Sequence, residues 1–394
     1  MSEWKEYKLG EIAEIKGGKR LPKGELLVDY ETPHPYIRVT DMGKKWIRKS
    51  GLQFVTPKVQ KTISRYVVNS GDVILSIVGS IGLVGRISQE LNGANLTENC
   101  VKLLTNKTIV NDDFLFYFLI SDEGQYEIEK RNVGSTQPKL PLYNIKDIDI
   151  FLPPLPEQKA IAEVLSSLDD KIDLLTRQNN TLEDLGQAFF RKWFVADADE
   201  KLKKYPLSEL MVIQNGFAFR SRDYQDAGKY KIVTIKNVQD GFIDTSGTTF
   251  LNQLPVGMPD YVLLTIGDVL ISLTGNVGRV GIVVEDNLLL NQRVAKISPY
   301  NPEYLPFLYF YFRNETTREY LINLAHGTAQ ANLSPIETLK TEVSFSKTLI
   351  KKYSELFMPM YQKIIKNKQQ IIVLQKLRDT LLPKLISGEV RVKL

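Results

Sequence analysis

One cysteine, Cys100, and two histidines, His34 and His326, are all the thiol and imidazole chemistry that 394 residues offer. A disulfide framework and a cysteine-based zinc site are thereby excluded, and two histidines cannot build a His-rich metal centre alone. No apolar run of roughly 18 residues occurs, and MSEWKEYKLG does not read as a signal peptide. These absences predict a soluble, cytoplasmic protein without membrane contact. No G-x-x-x-x-G-K-[ST] loop is present, which argues against a nucleotide-driven motor. NPEY (Asn301–Tyr304) falls one proline short of the Asn-Pro-Pro-Tyr element of amino-methyltransferases, and no glycine-rich cofactor loop accompanies it. Asn301 reads instead as the cap of a following helix. No paired-carboxylate-plus-lysine nuclease element can be placed on a β core. The sequence therefore predicts no catalytic residue, no metal and no cofactor.

What is present is a globular composition, 43% apolar and 25% charged. The length suggests two or three domains with ample core. Net charge is +5, and residues 1–70 hold fourteen Lys/Arg against eight Asp/Glu. Such an excess permits nucleic-acid binding without demonstrating it.

The clearest element of the first half is Leu155–Phe194. Ile161, Leu165, Leu168, Ile172, Leu175, Leu182, Phe189 and Trp193 alternate in steps of four and three, a heptad seam interrupted at Asn179 and Gly186. Pro153, Pro154 and Pro156 suit its first turn and stop a helix from running in from upstream. Roughly 39 residues at about 1.5 Å each make a rod of about 58 Å. Such a seam needs a partner. Leu349–Ile386 supplies one: Tyr353, Phe357, Met360, Ile364, Ile371, Leu374, Leu381 and Leu385 each lie 192 residues after a position of the first seam, and Asn367 falls at the equivalent of Leu175.

The rest of the chain repeats in the same way. Tyr7–Leu21 resembles Tyr205–Arg220, and Tyr36–Met42 resembles Tyr230–Val238. GDVILSIVGSIGLVGRI (Gly71–Ile87) matches GDVLISLTGNVGRVGIV (Gly267–Val283) most closely. Asn95–Leu103 parallels Leu290–Ile297, Phe114–Ile128 parallels Leu305–Leu321, and GSTQPKL (Gly134–Leu140) parallels GTAQANL (Gly327–Leu333). Each half reads as mostly β, with an aromatic-rich helix over Phe114–Arg131 or Tyr304–Leu324 and then a polar loop and a strand leading into the long helix. The predicted layout is a first globular domain (1–154), a long helix (155–195), a second globular domain (196–348), and a second long helix with a tail (349–394).

The loops Gly79–Gly85 and Gly275–Gly281 contain G-x-x-G-x-x-G, but β-type sequence continues beyond them, so they read as hairpins rather than dinucleotide cradles. Cys100 reads as a buried small hydrophobe and His326 as structural or solvated. The positive signal is polar and basic residues at loop positions of both halves, the side chains that read base edges and hold phosphates. The nucleic-acid-binding candidates in the first half are Lys16, Lys19, Arg20, Lys44, Lys45, Arg48, Ser80, Arg86, Gln137 and Lys139. In the second half they are Gln214, Asn215, Arg220, Arg222, Lys236, Asn237, Thr274, Asn276, Arg279, Gln330 and Asn332.

Taken together, KLGEIAEIKGGK, GDVILSIVGSIG with its repeat, GSTQPKLPLYNIKDIDIFLPPLPEQKAIAEVLSSLDDKIDLL and LRDTLLPKLISGEVRV resemble the specificity subunits of type I restriction–modification systems. The resemblance covers essentially the whole chain. It implies an α+β fold: two similar β-rich target recognition domains separated by two long antiparallel helices, a coiled-coil spacer, with a pseudo-twofold internal repeat. It further implies a non-catalytic subunit that binds double-stranded DNA at a bipartite site. Its partners would be two methyltransferase subunits and ATP-dependent restriction subunits. Because the two halves differ strongly in sequence, the half-sites are expected to differ.

An antiparallel pairing can bring Asn179 face to face with Asn367, a buried polar pair that would fix helix register and hence half-site spacing. Pro359 is expected to kink the second helix, and Pro383 to end or bend it. Two competing readings are a stand-alone methyltransferase or restriction enzyme, against which the missing motifs argue, and a structural coiled-coil adaptor that does not touch DNA.

Overall fold

The computed structural model describes residues 4–393 apart from 44, 48, 135, 137, 197–203 and 327–331. Two compact units divide the chain: Met1–Ile172 with Leu374–Leu394, and Asp173–Val373. The fold is α+β, with a sheet-rich body in each unit. Two long helices, Leu155–Arg191 and Lys347–Ile386, each contribute to both units.

In the first unit a five-stranded sheet runs in the order Ala13–Gly17, Cys100–Thr105, Val73–Ser76, Val84–Ile87, Trp46–Ile47. A three-stranded sheet (Gln53–Phe54, Pro35–Ile37, Asn95–Leu96) and a two-stranded ribbon (Lys5–Lys8 with Asp149–Leu152) complete it. The period of two along a strand explains the layering. Val73 and Leu75 point into a core with Phe114, Phe118, Ile161 and Leu165, and Leu385 and Ile386 of the second long helix close that core. Ile74, between them, points the other way, onto Ile37, Ile47, Ile87 and Leu96. Both faces of the central strand are therefore buried, which is why GDVILS carries an unbroken apolar run.

The second unit has its own sheet, in the order Met211–Asn215, Val294–Pro299, Val269–Ser272, Val280–Ile282, Gly241–Ile243, Val238–Gln239. Phe250–Leu251, Tyr230–Val233 and Leu288–Leu290 form its small sheet, and Lys204–Pro206 pairs with Glu342–Ser344. Val269 and Ile271 face one core and Leu270 the other.

The aromatic stretches each depart from the expected single helix. Asp112–Ile120 is followed by a separate helix, Asp122–Glu129, and Leu305–Arg313 by Glu315–His326. Ser121 causes the first break: its hydroxyl accepts from Gly124 N at 3.2 Å, starting a new helix where the old one ends. Asn314 Oδ1 accepts from Thr317 N in the same role. Asn301 caps the turn Pro302–Tyr304 as its sequence suggests.

In both units the aromatic helix is fastened to a carboxylate of the first long helix. Tyr117 Oη donates to Asp169 at 2.7 Å, and Tyr309 Oη donates to Glu183. Arg378 of the second long helix also donates to Asp169, at 2.8 Å, and Arg391 pairs with the buried Glu157. In the second unit Asn367 Nδ2 donates to Asn179 Oδ1 at 2.9 Å, with both side chains buried, and Tyr353 Oη donates to the Gly186 carbonyl at 2.9 Å. The second long helix runs as one helix through Pro359 and Pro383 and ends at Ile386. No helix among the described residues is long and apolar enough to cross a membrane.

Candidate nucleic-acid interface

The glycine loops are hairpin turns. Val73–Ser76 pairs antiparallel with Val84–Ile87, and Val269–Ser272 with Val280–Ile282. A serine at the end of the leading strand holds each turn. Ser76 Oγ donates to the Ser80 carbonyl at 2.6 Å and accepts from Leu83 N at 2.8 Å, and Ser272 Oγ bonds Asn276 O and Arg279 N in the same way. Gly79, Gly82, Gly275 and Gly278 take φ between 70° and 86°, a region that L side chains rarely adopt. Ser80 and Asn276 are left exposed at the tips.

A second loop latches onto each hairpin. Lys139 bridges to Val78, with Leu140 N bonding the Ile77 carbonyl at 2.9 Å. Asn332 bridges to Thr274, with Leu333 N bonding the Leu273 carbonyl at 2.8 Å. Exposed Lys139 and Asn332 therefore lie beside the hairpins although more than 50 residues separate them in sequence. Gln137 and Gln330, in the same loops, lie outside the described residues, as do Lys44 and Arg48.

Lys16, Lys19 and Arg20 lie on the outer strand of the first unit's large sheet and the loop after it, all exposed. Gly18 lets this loop press on the chain opposite, because a Cβ there would meet the Thr97 carbonyl at 2.0 Å. Lys19 sits 5.6 Å from the centre of the Tyr66 ring, and Arg20 Nε donates to Glu98 at 2.6 Å. The Glu98 carboxyl is pushed up by burial, but Arg20 and its other hydrogen bonds outweigh that and hold it below 4.5. In the second unit Asn215, Arg220, Arg222 and Lys236 are exposed, and Arg222 lies 3.6 Å from Asp223. Gln214 accepts from Ser298 Oγ at 2.7 Å.

Four candidates are drawn inward instead. The Lys45 side chain is 7% exposed, and its Nζ lies 2.9 Å from Ser166 Oγ and 3.2 Å from Tyr117 Oη. Burial pulls its pKa below 10.5, against the opposing pull of Asp113, Asp170 and Asp169. Arg86 is also buried, donating to Asp113 at 2.7 Å with its guanidinium over the Trp46 ring. Lys45, beside the edge strand Trp46–Ile47, and Arg86, on the next strand in, both reach the aromatic helix, so neither presents its charge to solvent. Asn237 is buried in a turn, where its Oδ1 accepts from Thr234 and its Nδ2 donates to the Asp244 carbonyl. Arg279 is half-buried and donates sideways to Gln239 at 2.9 Å. A cation or amide inside a domain needs partners there, and each of these has at least one, although Nε of Arg86 and of Arg279 is buried without a hydrogen bond.

Two features escaped sequence reasoning. Arg65 and Lys102 join Lys16 and Tyr66 around a cleft of about 240 Å³. Arg293, exposed in the turn between two strands of the second unit, has φ 73°, a costly conformation for a residue with a Cβ. The first could have been found by pairing the strands on paper, which sets Lys16 directly opposite Lys102; the second has no sequence signal.

The family model for the type I restriction modification DNA specificity domain matches this chain twice, over residues 1–184 and 199–344. The chain belongs to that family. The type I restriction enzyme MjaIX specificity subunit of Methanocaldococcus jannaschii is 26% identical over 99% of this chain and 94% of its own length. The HindI specificity subunit of Haemophilus influenzae is 21% identical over 99% of this chain and its own full length. Among solved structures, the S subunit of a type I system from M. genitalium shares the fold, with a TM-score of 0.65 at 20% identity over 97% of this chain and 96% of that one. Membership in the specificity family accounts for a chain with two sheet-rich bodies and no enzyme motif.

Proposed function

We propose that this chain is the non-catalytic DNA sequence-specificity subunit of a type I restriction–modification complex. Each sheet-rich body, 1–154 and 196–348, reads one half of an asymmetric bipartite site in double-stranded DNA. The long helices serve as an antiparallel coiled-coil spacer that fixes the gap, and the chain docks two methyltransferase subunits and the restriction subunits. Catalysis belongs to those partners, and the chain needs no cofactor of its own.

The observation that carries this reading is the double match of the family to two units whose large sheets have five strands in the same order, the second adding Val238–Gln239 at its edge, while their loop residues differ. Sharing a frame gives the halves equivalent positions on DNA. Ser80 against Asn276 and Lys139 against Asn332 give them different things to read. The antiparallel reading is supported by contacts whose residue numbers rise on one helix as they fall on the other: Asp169 with Arg378 in one unit, Asn179 with Asn367 and Gly186 with Tyr353 in the other. Half-sites one helical turn apart lie roughly 34–36 Å from each other, a spacing that a helical spacer of this length can set.

The test is co-expression with the cognate methyltransferase subunits in a host without other methylation, followed by methylome sequencing. The expected result is a single bipartite, non-palindromic methylated motif. A palindromic motif, or methyl transfer by the purified chain alone, overturns the reading.

A further inference from the structure

In the first unit's sheet, Lys16 and Lys102 face each other across the ladder. Directly opposed side chains have Cβ atoms about 5 Å apart, and like charges placed so repel. Arg65, just past the helix Pro57–Ile63, adds a third cation to the same cleft, and Gly17, Tyr66 and Val67 complete its walls. Lys102 Nζ donates to the Val67 carbonyl at 2.7 Å, which holds the ammonium against the cleft wall. Among the described residues, neither Arg65 nor Lys102 has a carboxylate within ion-pair distance. Lys16 has one, Glu14 at 3.0 Å, itself 65% exposed.

The second unit shows that the frame does not require this. The corresponding cross-strand pair there is Gln214 with Lys296, and Lys296 is neutralised by Asp268 at 2.7 Å. The first unit has an aspartate at the matching position, Asp72, which accepts from Asn69 N at 2.8 Å, as Asp268 accepts from Thr265 N at 2.9 Å. Lys102 nevertheless turns to a carbonyl. One unit thus closes its charge internally and the other leaves three cations around an opening with no acid lining it.

We propose that this cleft is an anchor for a backbone phosphate of the DNA, present in the first unit and missing from the second. The inference rests on the DNA-binding reading above. A phosphate oxygen accepts from Lys and Arg together and relieves the Lys16–Lys102 repulsion. The contact positions the duplex and carries no base preference, so the two half-sites are held with unequal dependence on salt.

The test uses the complex with its methyltransferase subunits and measures affinity for fluorescent duplex DNA between 50 and 200 mM salt. One phosphate contact contributes about 0.9 to the slope of log affinity against log salt, or about 3.5-fold over that range. Lys16→Gln/Arg65→Gln, both at exposed positions, should lose about one unit of slope. It should weaken cognate and scrambled duplexes alike and leave the methylated motif unchanged. Arg65→Lys should keep the slope, and Lys296→Gln should not alter it. An unchanged slope in the double variant, with tight salt-dependent binding by the parent complex, overturns the anchor alone. A changed motif overturns it in favour of base reading. A parent complex without salt-dependent DNA binding overturns the anchor and the functional reading together.

Discussion

Gly186 breaks the apolar seam of the first long helix, and its neighbours say why it must. A Cβ at this position would lie 2.1 Å from Phe310 Cζ, 2.3 Å from Cε1 and 2.8 Å from Cε2. Phe310 has no room to retreat: it is fully buried, with Tyr309, Phe357 and Tyr353 ring centres 5.1, 5.9 and 6.2 Å away. Gly186→Ala therefore forces an extra methyl into a packed aromatic core, which costs about 1–3 kcal/mol. Alanine's better helix propensity returns about 1 kcal/mol. The contact distances favour the upper part of that range, so a net loss of about 1–2 kcal/mol is expected. Trp193 is the only tryptophan in the second unit, Trp4 and Trp46 lying in the first. Urea unfolding followed by fluorescence in a Trp4→Phe/Trp46→Phe background reads that unit's stability. In a Phe310→Leu background the ring is gone, and Gly186→Ala should become neutral or stabilising, a coupling of at least about 1 kcal/mol. Stabilisation by Gly186→Ala with Phe310 intact, or an equal cost in both backgrounds, refutes the reasoning.

Four further outcomes are expected. Arg378→Met leaves the nearly buried Asp169 carboxylate with Tyr117 as its remaining partner among those described above, and should cost about 2–3 kcal/mol in melts of the chain; an unchanged midpoint would count against the network. Asn367→Leu strands the buried amide of Asn179 at about 1–3 kcal/mol, whereas the double leucine variant should regain stability. If the pair sets register, that variant's methylome should show more than one gap length. The Asp149 carboxyl is held below 3.8 by a hydrogen bond from Lys8, with burial opposing and Arg131 assisting. A carboxylate with a depressed folded pKa contributes fully above its unfolded value and loses that contribution as pH falls through the folded one. Asp149→Asn should therefore flatten the loss of stability below about pH 4, and parallel acid limbs would contradict this. Cys100 is fully buried against Met42, and its thiol is pushed up to about 12 by burial, with Asp41 and Glu98 adding to it. Thiol reagents at pH 8 should label it only on unfolding, and rapid labelling of the native chain would refute the burial.

Much of the fold was legible because it rests on short-range pattern. The run GDVILS names a strand buried on both faces, the glycines after it name a tight turn, and the four-three spacing from Ile161 to Trp193 names a long amphipathic helix. The breaks at Ser121 and Asn314 were missed because apolar periodicity continues across them while a single polar side chain restarts the hydrogen bonding. The site was less legible. Lys19, Arg20, Ser80, Lys139 and Asn276 are exposed as loop composition suggests. Lys45, Arg86 and Asn237, with the same chemistry in the same kind of loop, are inside.

The sequence by itself determined the two sheet-rich halves, the long helices and the family, because strand and helix periods and turn residues act over a few positions. Only the tertiary structure decided which cations face solvent. The environment of a charge is set by segments far away in the chain. Tyr117 and Ser166 bring Lys45 in, Asp113 brings Arg86 in, and the packing of Arg65 beside the Lys16–Lys102 rung leaves three positive charges around one opening.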